Sequence, residues 1–259
     1  MRVNKRIVWL LACVMALSLM ACGTEQKDDK ELTIFAASSL TETLTEISEL
    51  YKEKNPEVTI IFNFDSSGTL KTQIQEGADC DLFISAGQPQ MDQVDVLEGT
   101  RTDLLENKIA LCVSEICDVR LKTFDDLAKA LQEGDVLMAM GNRDVPVGQY
   151  TQKILDYYDL DEEALARDGK ISYASNAKEV TTQILEGSVD CGVIYCTDAY
   201  SAGLQVTDTA AAELCGQVIY PAAVLKESEH PEEAKAFLEF LQTDACMEVF
   251  EGVGFSCTQ

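Results

Sequence analysis

Apolar residues fall along this chain in short and long segments that alternate. The short segments predict β-strands at Leu32–Ala36, Val58–Phe64, Asp81–Ser85, Ile109–Val113, Val136–Met140 and Cys191–Tyr195. The long segments have apolar residues every three or four positions and predict helices at Leu40–Lys52, Leu70–Glu76, Phe124–Glu133, Gly148–Tyr158, Lys178–Glu186 and Glu232–Phe250. Strands that alternate with helices predict an α/β fold with mostly parallel sheets.

Two of the predicted strands run directly into a pair of serines at the start of a helix. Ser38 and Ser39 follow the first strand, and Ser66 and Ser67 follow the second. The first turn of a helix has unpartnered backbone N–H groups and a partial positive charge, so it attracts anions. Two such helix starts with hydroxyl groups predict an anion-binding socket, and therefore binding rather than catalysis.

Other helix starts have residues that commonly begin a helix. Ser39–Glu42 and Asn176–Glu179 have the spacing of a capping box, and Asp144–Gly148 places Pro146 at an early helical position. Ordinary capping accounts for each start taken alone. The combination of these starts with their flanking strands is what favours a ligand site.

The N-terminal segment has the organisation of an export signal. Basic residues precede the apolar run Ile7–Met20, which is short for a membrane span. Residues 19–23 read Leu-Met-Ala-Cys-Gly and resemble the bacterial lipobox, in which the cysteine is lipidated. We expect a signal peptide at 1–21, a lipid on Cys22 and a polar tether at 22–30, with an ordinary secretory signal as the alternative. The protein is then exported and anchored at the outer face of the cell membrane, on the periplasmic side in a Gram-negative cell.

The charge of the exported chain argues against several kinds of partner. Removing residues 1–21 takes three of the 20 basic residues and none of the 45 acidic ones, which leaves a formal charge of −28. A surface this acidic argues against binding to nucleic acid or to anionic lipid headgroups. Salt screens its repulsion of an anionic ligand beyond about 8 Å, so a local array of hydrogen-bond donors can still bind one.

The cysteine and histidine content argues against common metal and catalytic sites. Without Cys13 in the signal and Cys22 under lipid, the remaining cysteines are Cys80, Cys112, Cys117, Cys191, Cys196, Cys215, Cys246 and Cys257. There is no C-x-x-C motif, and His230 is the single histidine, so neither a zinc knuckle nor a thioredoxin-type site is predicted. We expect most of these cysteines to be buried, reduced thiols, and disulfides between distant cysteines remain an alternative.

The sequence also argues against an enzyme. A serine hydrolase needs a base to activate its nucleophile, and the sequence offers no evident one. The glycine motifs of nucleotide-binding enzymes are absent, so we expect no enzyme and no cofactor.

Several segments, in order and at suitable spacing, resemble the molybdate-binding proteins of bacterial ABC importers. The segments are Phe35–Leu40, Phe64–Leu70, Ala78–Ala86, Asp144–Gly148, Gly192–Ala199 and Tyr220–Val224. The resemblance implies the type II periplasmic-binding-protein fold, with two lobes, each a mostly parallel sheet flanked by helices, and a ligand cleft between them. It implies chain crossings near Asn107–Ile109 and Tyr220–Pro221. Lobe one would then hold residues 31–107 and 221–259, and lobe two residues 108–220.

The same resemblance implies which residues bind the oxyanion. Ser39 and Ser67 would each offer a hydroxyl and a backbone N–H, Val147 and Val180 would offer backbone N–H groups, and Tyr195 would offer its phenolic O–H. Molybdenum would be held as molybdate through these five residues, with no direct protein–metal bond. Neutral donors suit a dianion, since hydrogen bonds to a charged group contribute about 1.5–3 kcal/mol each. A pocket without acceptors rejects protonated oxyanions.

The resemblance leaves alternatives for the ligand and two departures from the family pattern. Tungstate, and sulfate if cavity size does not exclude it, are the alternative ligands; an adhesion module, insensitive to small anions, is the alternative class. Val147 stands at a position where members of the molybdate-binding family commonly have alanine. Asp65 stands where a neutral residue is frequent, and we expect its side chain to face away from the anion. The expected protein is a monomer that delivers its anion to a membrane permease.

Overall fold

The computed structural model describes residues 30–134 and 136–257. The predicted signal peptide at 1–21, the predicted lipidation site Cys22 and the tether up to residue 29 lie outside the described residues. Lys30, the predicted last residue of the tether, is the first residue of a β-strand.

The described residues form helices and strands in alternation over most of the chain. The strands are β1 (Lys30–Ala37), β2 (Val58–Asp65), β3 (Leu82–Ile84), β4 (Thr102–Asn107), β5 (Ile109–Val113), β6 (Met138–Gly141), β7 (Ile171–Ala174), β8 (Cys191–Tyr195), β9 (Val206–Thr209), β10 (Val218–Val224) and β11 (Ser256–Cys257). The helices are α1 (Thr41–Lys54), α2 (Ser67–Gln75), α3 (Gln88–Met91), α4 (Phe124–Glu133), α5 (Pro146–Tyr157), α6 (Glu162–Arg167), α7 (Ala177–Leu185), α8 (Cys196–Ala202), α9 (Ala212–Cys215), α10 (Pro231–Leu241) and α11 (Asp244–Gly252), and a 3-10 turn, Ser38–Leu40, joins β1 to α1.

The strands form two sheets, and each sheet with its helices makes one lobe. Lobe one has the strand order β11–β4–β10–β3–β1–β2, and lobe two has the order β7–β6–β8–β5–β9. The chain passes from lobe one to lobe two at Lys108, between β4 and β5, and returns between β9 and β10. The predicted α/β fold with two helix-flanked sheets is confirmed.

Two details of the predicted architecture are wrong. Residues 218–220, assigned from sequence to lobe two, pair with β4 in the sheet of lobe one, because β10 begins three residues before Pro221. The sheets are mixed rather than mostly parallel. The strand that follows each crossing runs antiparallel to its neighbours: β5 to β8 and β9, and β10 to β3 and β4.

One predicted helix is two helices in the structure. The segment Glu232–Phe250 keeps its apolar spacing throughout, and this spacing predicts a single helix. The chain instead leaves the helix after Leu241, and the Thr243 hydroxyl donates to the carbonyl of Phe240 at 2.8 Å. A threonine that bonds to a nearby backbone group competes with helix continuation, and Thr243 becomes the residue preceding α11.

Candidate anion-binding site

The serine pairs, three helix starts and Tyr195 meet at one small cavity between the lobes. Its lining residues are Ala37, Ser38, Ser39, Asp65, Ser66, Ser67 and Ala86 from lobe one, and Val145, Pro146, Ala177 and Tyr195 from lobe two. The structure thus brings together three of the five predicted site residues, Ser39, Ser67 and Tyr195. Val147 and Val180 are not among the lining residues.

The helices α2, α5 and α7 all begin at this cavity. Their first residues, Ser67, Pro146 and Ala177, belong to its lining. Backbone N–H groups of a first helical turn lack intrahelical partners, and the helix dipoles add partial positive charge there. Among the lining residues of the described chain, none is lysine or arginine. The site therefore offers helix dipoles and uncharged hydrogen-bond donors to an anion, and these come from both lobes.

Ser39 lies in the 3-10 turn and does not cap a helix. Helix α1 begins at Thr41, and no side chain caps its first turn, so the predicted capping box at 39–42 is wrong. The Ser39 hydroxyl instead lies 3.0 Å from the hydroxyl of Tyr220. Glu42, the other half of the predicted box, forms an ion pair with Lys178 of lobe two. Ser39 is thus free of capping and held beside the cavity.

The two serines of the second pair have different roles: Ser66 caps a helix, and Ser67 has its hydroxyl available at the cavity. Ser66 is the capping residue of α2, and its hydroxyl accepts a hydrogen bond from the N–H of Thr69 at 3.1 Å. The fully buried Ser67 hydroxyl accepts from the N–H of Ala86 at 2.9 Å. Because Ser67 is the acceptor in that bond, its own proton stays available for a ligand.

Val147 and Val180 lie one to three residues inside their helices, behind the cavity lining. Pro146 occupies the first position of α5, as predicted, so the N–H of Val147 belongs to the first turn. The N–H of Val180 makes a long hydrogen bond of 3.4 Å to the carbonyl of Asn176. Both valine side chains are fully buried in the hydrophobic core. The side chain of Val147, larger than alanine, is thus packed in the core and does not line the cavity.

Tyr195 brings a phenolic hydroxyl to the cavity from lobe two. The residue is buried, and its hydroxyl donates to the carbonyl of Ala86 at 3.4 Å, a long bond that a better acceptor can replace. Burial raises the pKa of Tyr195 well above its ordinary value, with further increases from Tyr220, Tyr150 and Asp198. The phenol therefore stays protonated at physiological pH and remains a hydrogen-bond donor.

Asp65 lies at the site, and that its side chain faces away from the anion stays a prediction. It is one of the lining residues, and its Oδ1 accepts a hydrogen bond from the N–H of Ser66 at 2.7 Å. The last residue of β2 is joined directly to the helix start, so its carboxylate can reach that N–H without any change in the backbone. A carboxylate thus accepts from the N–H of Ser66, the residue that caps α2.

The structure also places three polar residues behind the cavity that sequence reasoning did not assign to the site. They are Asn107, Asp198 and Tyr220, all buried. The Tyr220 hydroxyl bonds to Ser39, and Asn107 bonds to Tyr220. A buried tyrosine usually finds a hydrogen-bond partner, and this is the signal that could have linked Tyr220 to a polar site.

The two lobes touch across the cleft. Gln90 of lobe one donates to Gln149 of lobe two at 3.0 Å, and Lys178 pairs with Glu42. Together with the bond from Tyr195 to Ala86, these contacts hold the two lobes against each other. The structure is therefore a closed arrangement of the lobes.

Sequence comparison identifies the class of protein that has this fold and site. The family of bacterial extracellular solute-binding proteins matches residues 32–256, and the chain belongs to this family. None of the helices in the described part of the chain has the length and apolar character needed to span a bilayer.

Individual relatives cover nearly the whole chain. YvgL of Bacillus subtilis, provisionally named an ABC transporter substrate-binding lipoprotein, is 34% identical over 264 residues, covering 98% of each chain. The molybdate-binding protein ModA of Escherichia coli is 30% identical over 256 residues, covering 96% of this chain and 98% of its own.

Solved structures agree with these relatives. The substrate-binding domain of a provisionally assigned molybdenum ABC transporter from Clostridium difficile is 31% identical, with a TM-score of 0.63 over 88% of this chain and 99% of its own. The periplasmic molybdate-binding protein of Azotobacter vinelandii gives a TM-score of 0.76 over 88% of this chain and 100% of its own, at 18% identity. That second likeness supports the fold alone. The resemblance to the family, stated above from motifs, is confirmed.

Proposed function

We propose that this protein binds molybdate, and also tungstate, outside the cytoplasm and delivers the anion to the permease of an ABC importer. The observation that carries the proposal is the convergence of Ser39, Ser67, Tyr195 and three helix starts on one cavity between two lobes. Relatives that are named for molybdate binding support the choice of oxyanion.

The five residues Ser39, Ser67, Val147, Val180 and Tyr195 form the proposed donor set. The two serines and Tyr195 would bind directly through their hydroxyl groups. The N–H groups of Val147 and Val180 would join them from the first turns of α5 and α7. Molybdenum is thus bound as an oxyanion, and the protein supplies no direct metal ligand.

Binding a dianion between the lobes would favour the closed arrangement, because donors from both lobes contact the same ligand. A ligand shifts an equilibrium between open and closed forms by its differential contacts with them. We propose that the closed, loaded form is the one presented to the permease. Export and a lipid anchor at Cys22 would hold the protein at the outer face of the membrane; the lipoprotein name of YvgL supports this part of the proposal.

Thermal unfolding of the full chain in detergent, with molybdate, tungstate, sulfate or phosphate, tests the proposal. Ligand at 100 times its dissociation constant stabilises the folded state by about 2.7 kcal/mol. For a chain of this size the melting temperature should rise by roughly 5–10 °C. Molybdate and tungstate should both give this shift. An equal shift with sulfate would remove the assignment to molybdate.

Serine substitutions test the site itself. Ser39→Ala and Ser67→Ala should each weaken molybdate binding at least tenfold, because each removes a hydrogen bond to a charged ligand. Ser188→Ala, which removes an exposed hydroxyl from the surface of lobe two, is the matched control and should bind normally. If both site variants bind as tightly as the control, the proposed donor set is wrong.

A further inference from the structure

A chain of buried hydrogen bonds connects the first crossing between the lobes to Ser39. Asn107, the last residue of β4, directly precedes the crossing at Lys108. Its Nδ2 donates to the hydroxyl of Thr197 at 2.9 Å and to the hydroxyl of Tyr220 at 3.2 Å. The Tyr220 hydroxyl in turn lies 3.0 Å from Ser39 Oγ. All four side chains are buried, so water does not compete for these bonds.

The backbone fixes the orientation of the Asn107 amide. The N–H of Lys108 can only donate, and it bonds to Asn107 Oδ1 at 2.8 Å. The other side of the amide is therefore Nδ2, which can only donate. Tyr220 must accept this bond through its oxygen, and its own proton is left to point elsewhere.

Ser39 Oγ lies 3.0 Å from the Tyr220 hydroxyl, and at this distance either hydroxyl can be the donor, so the free proton of Tyr220 can be directed to Ser39. When Tyr220 donates to Ser39, the Ser39 oxygen accepts through a lone pair, and the Ser39 O–H remains free to donate. Ser39 then has its own O–H directed toward another acceptor, and the cavity that it lines is where that acceptor would lie. Each bond in the chain thus sets the direction of the next one.

We propose that Tyr220 is a positioning residue, which accepts from Asn107 and donates to Ser39 so that the Ser39 hydroxyl presents its proton to the bound oxyanion. This inference rests on the proposed function. Tyr220 need not touch the ligand itself and is not among the residues that line the cavity. Its ring is held edge-on between Tyr195 and Phe255, with centroid distances of 5.5 and 5.2 Å. The hydroxyl therefore has a fixed place from which to act on Ser39.

The series of hydrogen bonds links residues that lie next to the two crossings. Tyr220 belongs to β10, the strand that follows the return crossing, and Asn107 directly precedes the first crossing. Thr197, the other partner of Asn107, belongs to α8 of lobe two. The orientation of one donor to the anion is thus set by groups from both lobes at the crossings.

The test is a double-mutant cycle on molybdate affinity with the full chain in detergent, measured by calorimetry. Tyr220→Phe removes one oxygen and keeps the packed ring. It should weaken binding about five- to tenfold, in the range of one neutral hydrogen bond. In a Ser39→Ala background the same change should cost less than about twofold, because the group that Tyr220 positions is already absent. Tyr51→Phe is the matched control: Tyr51 is buried in lobe one against Phe237 and Phe240, and its loss of a hydroxyl should leave affinity unchanged.

The outcomes separate this inference from the proposed function. If the unaltered chain binds molybdate and Tyr220→Phe binds equally well, the positioning role is wrong and the proposed function stands. An equal loss of affinity from Tyr220→Phe with and without the Ser39 hydroxyl would show a general structural effect and would also overturn the role. If the unaltered chain binds no oxyanion, the proposed function fails and the role of Tyr220 fails with it. The inference is supported if Tyr220→Phe weakens binding in the protein that has Ser39 and not in the Ser39→Ala variant.

Discussion

Gly68 of lobe one lies directly against the backbone of Asp144 in lobe two. A β-carbon at Gly68 would be 1.9 Å from the carbonyl oxygen of Asp144, far inside van der Waals contact. Gly68 is the second residue of α2 and directly follows Ser67. The absence of a side chain at this position is what lets the start of α2 meet lobe two beside the cavity.

Gly68→Ala should therefore oppose closure without weakening the lobes themselves. Alanine is favoured over glycine in a helix by about 1 kcal/mol, so the anion-free protein should melt at an equal or higher temperature. Closure would require the two backbones to move apart, and we expect molybdate affinity to fall at least tenfold by calorimetry. Gly252→Ala in α11 is the control, since a β-carbon there meets no atom within 4 Å. Normal affinity in Gly68→Ala would show that this contact is not needed for binding.

Asp65→Asn should raise affinity for a dianion. At an effective dielectric of about 20, a carboxylate roughly 6 Å from the ligand costs about 3 kcal/mol per unit of ligand charge, and solvent at this half-buried residue reduces the cost. Asparagine keeps an oxygen that accepts the N–H of Ser66, so the change removes the charge alone. We expect molybdate to bind about tenfold more tightly. The exposed Asp79, changed to Asn in the same way, should leave affinity unaltered; equal affinities in all three proteins would place the Asp65 charge outside the reach of the anion.

The segments that the sequence predicted well have one strong local signal. The strands at Ile109–Val113 and Cys191–Tyr195 and the helix Phe124–Glu133 were predicted to the residue, because apolar runs and a glycine stop mark their ends. Strand β10 was missed, since Pro221 within a strand argues against one. The structure accommodates this proline at an irregularity in the register, between Tyr220 and Pro221.

The candidate site was only partly accessible from sequence for a similar reason. Ser39 and Ser67 could be found because serines at a helix start have a local meaning. The convergence of three helix starts is a tertiary property, and motif resemblance alone indicated Val147 and Val180. Asn107 and Tyr220 are 113 positions apart, and no local pattern predicts that their side chains bond.

Two of the cysteines whose side chains the structure describes should react with thiol reagents in the folded protein. These described cysteines are seven free thiols, and Cys117 and Cys196 are the partly exposed ones among them. Burial raises the pKa of Cys80 and of Cys112 to about 12, so their reactive thiolates are scarce as well as inaccessible. Mass spectrometry after brief alkylation at pH 8 should find label at Cys117 and Cys196. Unfolding in denaturant should expose the other five, which are Cys80, Cys112, Cys191, Cys215 and Cys246. Finding any of the seven joined in a disulfide would contradict the structure.

One buried carboxyl should make the protein less stable as pH rises from about 4 to about 7. Asp198 is buried, and its Oδ2 has no hydrogen-bond partner among the described residues. Its pKa is raised from 3.8 to about 7: burial is the largest cause and Glu42 of lobe one adds to it, while Lys178 and the N–H of Tyr195 oppose the shift.

The direction of the effect follows from proton binding. The folded state holds the Asp198 proton more tightly than the unfolded chain, so this contribution to stability is complete below about pH 4 and is lost as pH rises through about 7. Asp198→Asn removes the titration and keeps a neutral side chain of the same shape. The melting temperature of the variant minus that of the unaltered protein should therefore become more positive between pH 5 and pH 8, by several degrees. The exposed Asp156, changed to Asn, should show no such trend. A difference for Asp198→Asn that stays constant over this range would mean that Asp198 does not take up a proton in the folded protein.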